Sequence, residues 1–214
     1  MKKIIFTVAA IFAFGFANAQ DKKESSEGFS KGNVFIMGSA GFSNSSTGDF
    51  SNSTFSFSPR AGFFVSNNIA IGLAIGFDGS KEEDIVGGGF TTTEDTTTEL
   101  SFGAFGRYYF SPASKFSVFG ELGFNVLSNK VESSATTGGI TVSGETKSNG
   151  FNVALAPGIS YFVSNSFALE AKWGLLQYRT TEPDAPAGFT AESTDTFDLG
   201  LNFDALSIGL LYKF

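Results

Sequence analysis

Arg60, Arg107, Glu121, Glu170 and Lys172 are charged residues set among Gly, Ala and Ser in stretches that are otherwise apolar. Cations and carboxylates held in such surroundings can do one of two things. They can line a path for ions or small solutes, or they can pair as a hydrogen-bonded plug, because charges out of bulk water need partners. Catalysis fits less well. The sequence has no His and no Cys, which removes the commonest general base, the commonest transition-metal ligand and the thiolate nucleophile together. Without an imidazole the usual activation of a serine is missing, so no catalytic residue, cofactor site or metal site is expected. A second charged stretch holds Lys81, Glu82, Glu83, Asp84, Glu94 and Asp95. Its oxygens are of the kind that bind Ca2+ or Mg2+, yet the spacing matches no calcium loop, and a solvated surface is expected. Gly87-Gly88-Gly89 lacks the strand-to-helix setting of a phosphate loop. Asn44-Ser45-Ser46 and Asn52-Ser53-Thr54 are read as chance glycosylation patterns.

The elements that must carry these charges have period two. In the last nine residues Leu206, Ile208, Leu210, Tyr212 and Phe214 form one column, and Ser207, Gly209, Leu211 and Lys213 the other. Such alternation means strands with two unlike faces. The clearest case is Ile69, Ile71, Leu73, Ile75 and Phe77 against Ala70, Gly72, Ala74 and Gly76. Eight such segments follow one another, starting near Asn33, Thr54, Ile69, Thr98, Phe116, Gly150, Phe167 and Thr196. Helical periodicity is absent. Short turns alternate with four long polar connections, expected as loops over Ser43 to Ser53, Asp78 to Thr97, Ser128 to Asn149 and Arg179 to Asp195. The stretch Pro59 to Ala70 is echoed from Pro157 to Ala168, with Phe-Val-Ser-Asn at both turns, so the same hairpin is used twice. Pro59 and Pro157 lie in mid-strand, where a residue that cannot donate to the ladder predicts a bulge. The apolar parity of the last segment switches from Phe197, Leu199, Leu201 and Phe203 to Leu206 and beyond, which predicts a further bulge or an end of membrane contact near Asp204-Ala205.

Sidedness follows from volume. An eight-stranded barrel has an interior only wide enough for filling side chains, and Phe, Ile and Leu at almost every inward position would overfill it. The outside would then be Gly, Ala and Ser, with little of the charge that keeps soluble surfaces apart. The opposite assignment works: large apolar side chains face lipid, small and polar ones fill the lumen, and closure leaves no strand edge in hydrocarbon. The five charges then point inward, away from a lipid face that would cost roughly 2–4 kcal/mol each. Phe63, Phe110, Phe116, Tyr161, Phe167, Tyr212 and Phe214 mark one rim, and Phe42, Phe55, Phe77, Phe102, Phe124 and Phe151 the other, as two interfacial girdles. The rival assignment is a secreted soluble ligand-binding barrel, which would be extracted without detergent.

Lys2 and Lys3, the apolar run Ile4 to Phe16, and Ala17, Asn18 and Ala19 before Gln20 read as a leader with a small-residue cleavage site. Its roughly thirteen apolar residues fall short of the roughly twenty that a spanning helix needs. The expected division is therefore residues 1–19 as signal peptide, 20–32 as a flexible periplasmic lead and 33–214 as barrel. The formal net charge of -7 argues against nucleic acid, which calls for a basic footprint.

The alternation, the short-turn and long-loop rhythm, and the terminal Leu210, Tyr212 and Phe214 together resemble the small eight-stranded outer-membrane barrels of the OmpA/OmpX type, in a form common among Bacteroidetes. The resemblance covers nearly all of the chain after the leader. It implies an all-β, antiparallel up-and-down transmembrane barrel in a Gram-negative outer membrane, with Leu210, Tyr212 and Phe214 as the signal read by the barrel assembly machinery. It also implies contact with outer-membrane lipids and lipopolysaccharide, and a monomer. Enzymes of such families pair a His with Ser, Asp or Glu, which this chain lacks. Two roles stay open: a structural or surface-interaction protein with a filled lumen, and a narrow porin-like conduit.

Overall fold

Eight antiparallel strands close into one barrel in sequence order. They are β1 (Val34–Thr47), β2 (Phe50–Phe64), β3 (Ile69–Val86), β4 (Thr91–Tyr109), β5 (Phe116–Thr137), β6 (Ile140–Phe162), β7 (Phe167–Pro183) and β8 (Thr194–Lys213). The structure, a computed structural model, describes residues 27–185 and 191–214, without the side chains of 202–205. The leader with Ala17, Ala19 and Gln20 lies outside the described residues. Closure is made by β1 against β8, from Phe35 opposite Lys213 to Gly38 opposite Leu210.

The apolar columns face outward. Ile71, Leu73, Leu122, Ile208 and Leu210 are exposed, whereas Ala70, Ala74, Ala156 and Ala168 are buried in the interior. Leu199 and Leu201 are exposed as Leu206 and Ile208 are, so the parity switch in β8 keeps both halves on the lipid side. It coincides with register shifts of β7 against β8 between Lys172 and Gly174 and between Gly174 and Leu176. Both rims carry their exposed aromatics, among them Phe63, Phe110 and Phe116 at one end and Phe42, Phe55 and Phe102 at the other. The echoed hairpins share their bonding. Val65 and Ser66 donate backbone N–H groups to the Ile69 carbonyl, and Val163 and Ser164 donate to that of Phe167. Ser66 Oγ and Ser164 Oγ then accept from the N–H groups of Ile69 and Phe167.

Four expectations need correction. The first three long polar connections are strand for most of their length: β5 and β6 stay paired up to Thr137 opposite Ile140, and β3 and β4 up to Val86 opposite Thr91, whereas the fourth is strand at its ends, to Pro183 and from Thr194. Thr-rich segments such as Thr91–Thr98 favour extended backbone, and both faces meet water beyond the membrane, so no apolar contrast marks the strand. The tips are tight turns at Gly48, at Gly87-Gly88-Gly89 and at Gly138-Gly139, all with positive φ that L side chains rarely adopt.

The second correction concerns the prolines. A register shift lies between Leu155 and Gly158 of β6, beside Pro157. At Pro59 the strand pairs continuously with β1, and the β3 ladder omits Ser58 and Pro59 yet resumes in the same register at Arg60 opposite Ala74. The missing N–H is accommodated there by two unpaired positions without a bulge.

The third concerns the lead. Gly28 and Phe29 are buried while residues 30–32 stay exposed, with Phe29 only 2% exposed inside the barrel. Its N–H donates to the Pro112 carbonyl at 2.6 Å, and the Gly32 N–H to the Phe64 carbonyl at 2.9 Å.

The fourth concerns the lumen, which is not filled by small and polar groups alone. Phe35, Phe64, Phe105, Tyr109, Phe119 and Phe162 are buried around Phe29 in the end bearing the short turns. Glycines make room for them. A methyl added at Gly62 would overlap the Phe35 ring, one at Gly72 the Phe105 ring, and one at Gly158 the Phe119 ring. Rings laid over strand glycines shield backbone that has no side chain of its own. Gly62→Ala is accordingly expected to cost about 1–3 kcal/mol through overpacking. A second substitution, Phe35→Leu, should return part of that loss by freeing space, and heat-dependent gel mobility of the refolded barrel measures both. Equal stability of Gly62→Ala and the parent would show the ring to be loosely held.

Candidate functional site

The five lumen charges come from four strands and meet. Arg107 on β4 stands directly opposite Glu121 on β5, while Arg60 reaches in from β2 and Glu170 and Lys172 from β7. Arg107 Nε donates to Glu121 Oε2 at 2.6 Å, and its Nη1 to Glu170 Oε2 at 2.8 Å and to the Tyr109 hydroxyl oxygen at 3.0 Å. Its Nη2 lies 3.1 Å from Met37 Sδ. The Tyr109 hydroxyl donates to Glu170 Oε1 at 3.3 Å. Arg60 Nη1 and Lys172 Nζ converge on a single oxygen, Glu121 Oε1, at 2.7 and 2.6 Å. All four carboxylate oxygens thus accept, as buried charge requires.

Aromatic faces complete the setting. The Arg107 guanidinium carbon lies 4.4 Å from the Phe119 ring centre and 5.1 Å from that of Phe105, and Arg60 lies 5.7 Å from Phe105. These are cation–π distances. Below them Phe29 stacks on Phe64 at 4.6 Å between centroids and packs edge-on to Phe162 at 4.8 Å. Lys213 Nζ donates to the Gly28 carbonyl at 2.6 Å. The result is a two-layer floor, charged above and aromatic below. The Arg107 side chain has 0% exposure, whereas those of Arg60 and Lys172 keep 20% and 21%. The network is therefore closed toward the aromatic layer and open toward the opposite mouth.

Between floor and outer mouth the inward positions are small or polar, such as Ser58, Gly76, Ser101 and Gly103. Asn125 donates to Asn152 there at 2.8 Å. Higher still, Arg179 on β7 bonds Glu99 on β4 across the lumen. The stretch around Lys81 is strand surface. Lys81 bonds Glu94 at 2.8 Å and Asn52 donates to Glu82 at 2.9 Å, and no metal-holding group of His, Cys, Asp or Glu occurs among the described residues. Beyond the girdle, the hydrogen bonds from Lys147 and Lys130 hold the Glu145 carboxyl below its usual range. Exposed pairs of this kind are screened by salt and contribute little to stability.

At the seam Tyr212 packs on Phe167 and Phe214 at 4.9 and 4.8 Å between centroids, with Leu210 exposed on the lipid side. The Phe214 N–H donates to the Val34 carbonyl at 3.0 Å, tying the terminal residue to β1. Passed over in the sequence are Tyr109, Phe29 and the Glu99–Arg179 pair, whose two members stand at the edges of stretches expected as loops. Tyr109 was within reach, being two residues from Arg107 in the same column. Nothing local marks Phe29, whose ring partners other than Phe35 are distant in sequence.

A model of the outer membrane protein beta-barrel domain matches residues 6–214. The chain belongs to that family. It is an outer-membrane protein of a Gram-negative bacterium, in contact with membrane lipids across its exposed apolar belt. Among solved structures the barrel is similar to the outer membrane protein OprG from Pseudomonas aeruginosa, at 14% identity over 88% of this chain and 99% of that one, with a TM-score of 0.49. It is also similar to a major outer membrane protein from Thermus thermophilus, at 14% identity over 85% and 99%, TM-score 0.48. A third is Ail, the attachment invasion locus protein of Yersinia pestis, at 11% identity over 86% and 99%, TM-score 0.41. No curated protein matches the sequence.

Proposed function

We propose that this family member is a closed, non-enzymatic scaffold barrel that contributes to envelope integrity and lifts polar β-hairpins off the outer membrane for surface interaction. One observation carries the reading: the charged layer of Arg107, Glu121 and Glu170 sits directly on the aromatic layer that contains Phe29, and both are buried. An eight-stranded bore has little width to spare, and here two successive layers occupy it. The hairpins fit display. From the girdle at Val126 to the tip at Thr137, β5 runs on for about 36 Å at roughly 3.3 Å per residue. The tips offer Phe90, Ile140 and Val142, each at least 70% exposed, and loops on such scaffolds carry recognition.

In the same reading the protein works as a monomer, exported by residues 1–19. The assembly machinery takes it up through the strand ending Leu210, Tyr212 and Phe214, and lipopolysaccharide surrounds its outer half. Planar-bilayer recording of the refolded chain tests closure. The expected trace is quiet, whereas steady channels whose conductance changes on Arg60 or Lys172 substitution would establish the conduit instead. Deleting the tips around Gly88 and Gly138 should leave folding intact and abolish any surface binding.

A further inference from the structure

The charges at the floor of the lumen do not balance among themselves. Arg60, Arg107 and Lys172 supply three cations, and Glu121 and Glu170 two carboxylates. Arg107 is satisfied from both carboxylates, which leaves Arg60 and Lys172 sharing one oxygen of Glu121. Each makes a single hydrogen bond although the guanidinium has five N–H groups and the ammonium three. Their charged heads are neighbours, since both touch the same atom. Both side chains keep about a fifth of their surface open, 20% and 21%, where Arg107 keeps none. A surplus positive charge held at the bottom of a water-accessible, low-dielectric vestibule attracts a counter-charge more strongly than it would in bulk water.

We infer that Arg60 and Lys172 together bind one small monovalent anion, a halide or a short carboxylate, on the outward face of the floor. Resting on the closed-barrel reading, the site is reached from the outer mouth alone. Arg60 supplies its unused guanidinium N–H groups and Lys172 its remaining ammonium protons. Glu121 fixes both heads by holding them from below. Directly above the floor the inward positions, from Ser58 to Asn125, are hydroxyl, amide or glycine, and the Arg179–Glu99 pair with Asp78 beside it stands higher in the lumen. Nothing chemical happens to the anion. It neutralises the network and ties β2 to β7 across the lumen.

Bromide is the probe, because it scatters anomalously and resembles chloride in size. Crystals of the full chain grown in bromide are expected to show an anomalous peak in contact with Arg60 and Lys172. In solution, bromide added at constant ionic strength should raise the unfolding temperature by about 3 °C at tenfold saturation. Lys172→Met removes the surplus charge and should abolish the peak and the response together. Arg60→Gln serves the same purpose if the first variant does not refold. No peak between the two side chains, peaks only elsewhere, or an equal thermal response in parent and variant would overturn the inference. Formate in place of bromide distinguishes carboxylate from halide by the size of the same shift. Bilayer recording of the same preparation keeps the readings apart: channels would refute closure while leaving the bromide peak to decide the site.

Discussion

Glu121→Gln is expected to cost the refolded barrel about 3–5 kcal/mol of stability, the range for breaking a buried charged network from one side. The carboxylate is 4% exposed and takes hydrogen bonds from Arg60, Arg107 and Lys172, all at 2.6 to 2.7 Å. Glutamine keeps the shape, but its amide turns two donors toward groups that only donate. Glu170 would then face three cations from a position only 3% exposed. Glu170→Gln acts in the same direction with a smaller loss, since it releases only Arg107 and Tyr109. Denaturant unfolding followed by heat-dependent gel mobility measures both, and bilayer recording should stay quiet in both. Pairing Glu121→Gln with Lys172→Met should return part of the loss, a non-additivity that identifies coupling within the network. A Glu121→Gln barrel within 1 kcal/mol of the parent would mean that the lumen is wet enough to solvate its charges.

Phe29→Ala is expected to undock the segment that precedes β1 while the barrel stays folded. Emptying a fully enclosed phenylalanine site costs about 3–5 kcal/mol. Phe29 touches Phe35, Phe64, Tyr109 and Phe162 with centroids 4.6 to 6.0 Å apart. The segment has its own limited set of tethers, the backbone bonds at Phe29 and Gly32, the Lys31 N–H to Asn67 Oδ1, the Lys213 contact at Gly28 and the exposed Glu27–Lys115 pair. Its docking can therefore fail without unzipping the sheet. A loss of 3 kcal/mol shifts that equilibrium by roughly a hundredfold. Amide exchange reads it: the Gly32 N–H, bonded to the Phe64 carbonyl, should lose protection to about that extent, with the β4 and β5 amides unchanged. Unaltered protection at Gly32 would show that the backbone bonds alone hold the segment.

Some of the site was legible in the sequence because charge and parity are local. Arg107, Glu121 and Glu170 fall in columns of Gly, Ala and Ser, and a strand's side chains alternate whatever lies around it. The extended hairpins were less legible. Thr91 to Thr98 and Ser128 to Thr137 carry no contrast between faces, because both faces meet water there, and period-two reading needs contrast. Phe119 and Phe105 broke the small-inward rule for a further reason. Their partners Gly158 and Gly72 lie on neighbouring strands, so the fit of ring into glycine gap exists only after pairing.

By itself the sequence determined the strand number, the order of the hairpins and which columns face lipid. Each of these depends on residues two apart or on neighbouring segments, and a bilayer accepts only one sidedness for Phe, Ile and Leu. The tertiary structure decided what fills the bore. Residues brought together from β2, β4, β5 and β7, with Phe29 beneath them, share distances that no spacing along the chain encodes, because register and closure place them opposite one another. The charge balance at the floor is likewise a property of the closed cylinder: Lys172 and Arg60 meet only because both strands bend around to the same carboxylate.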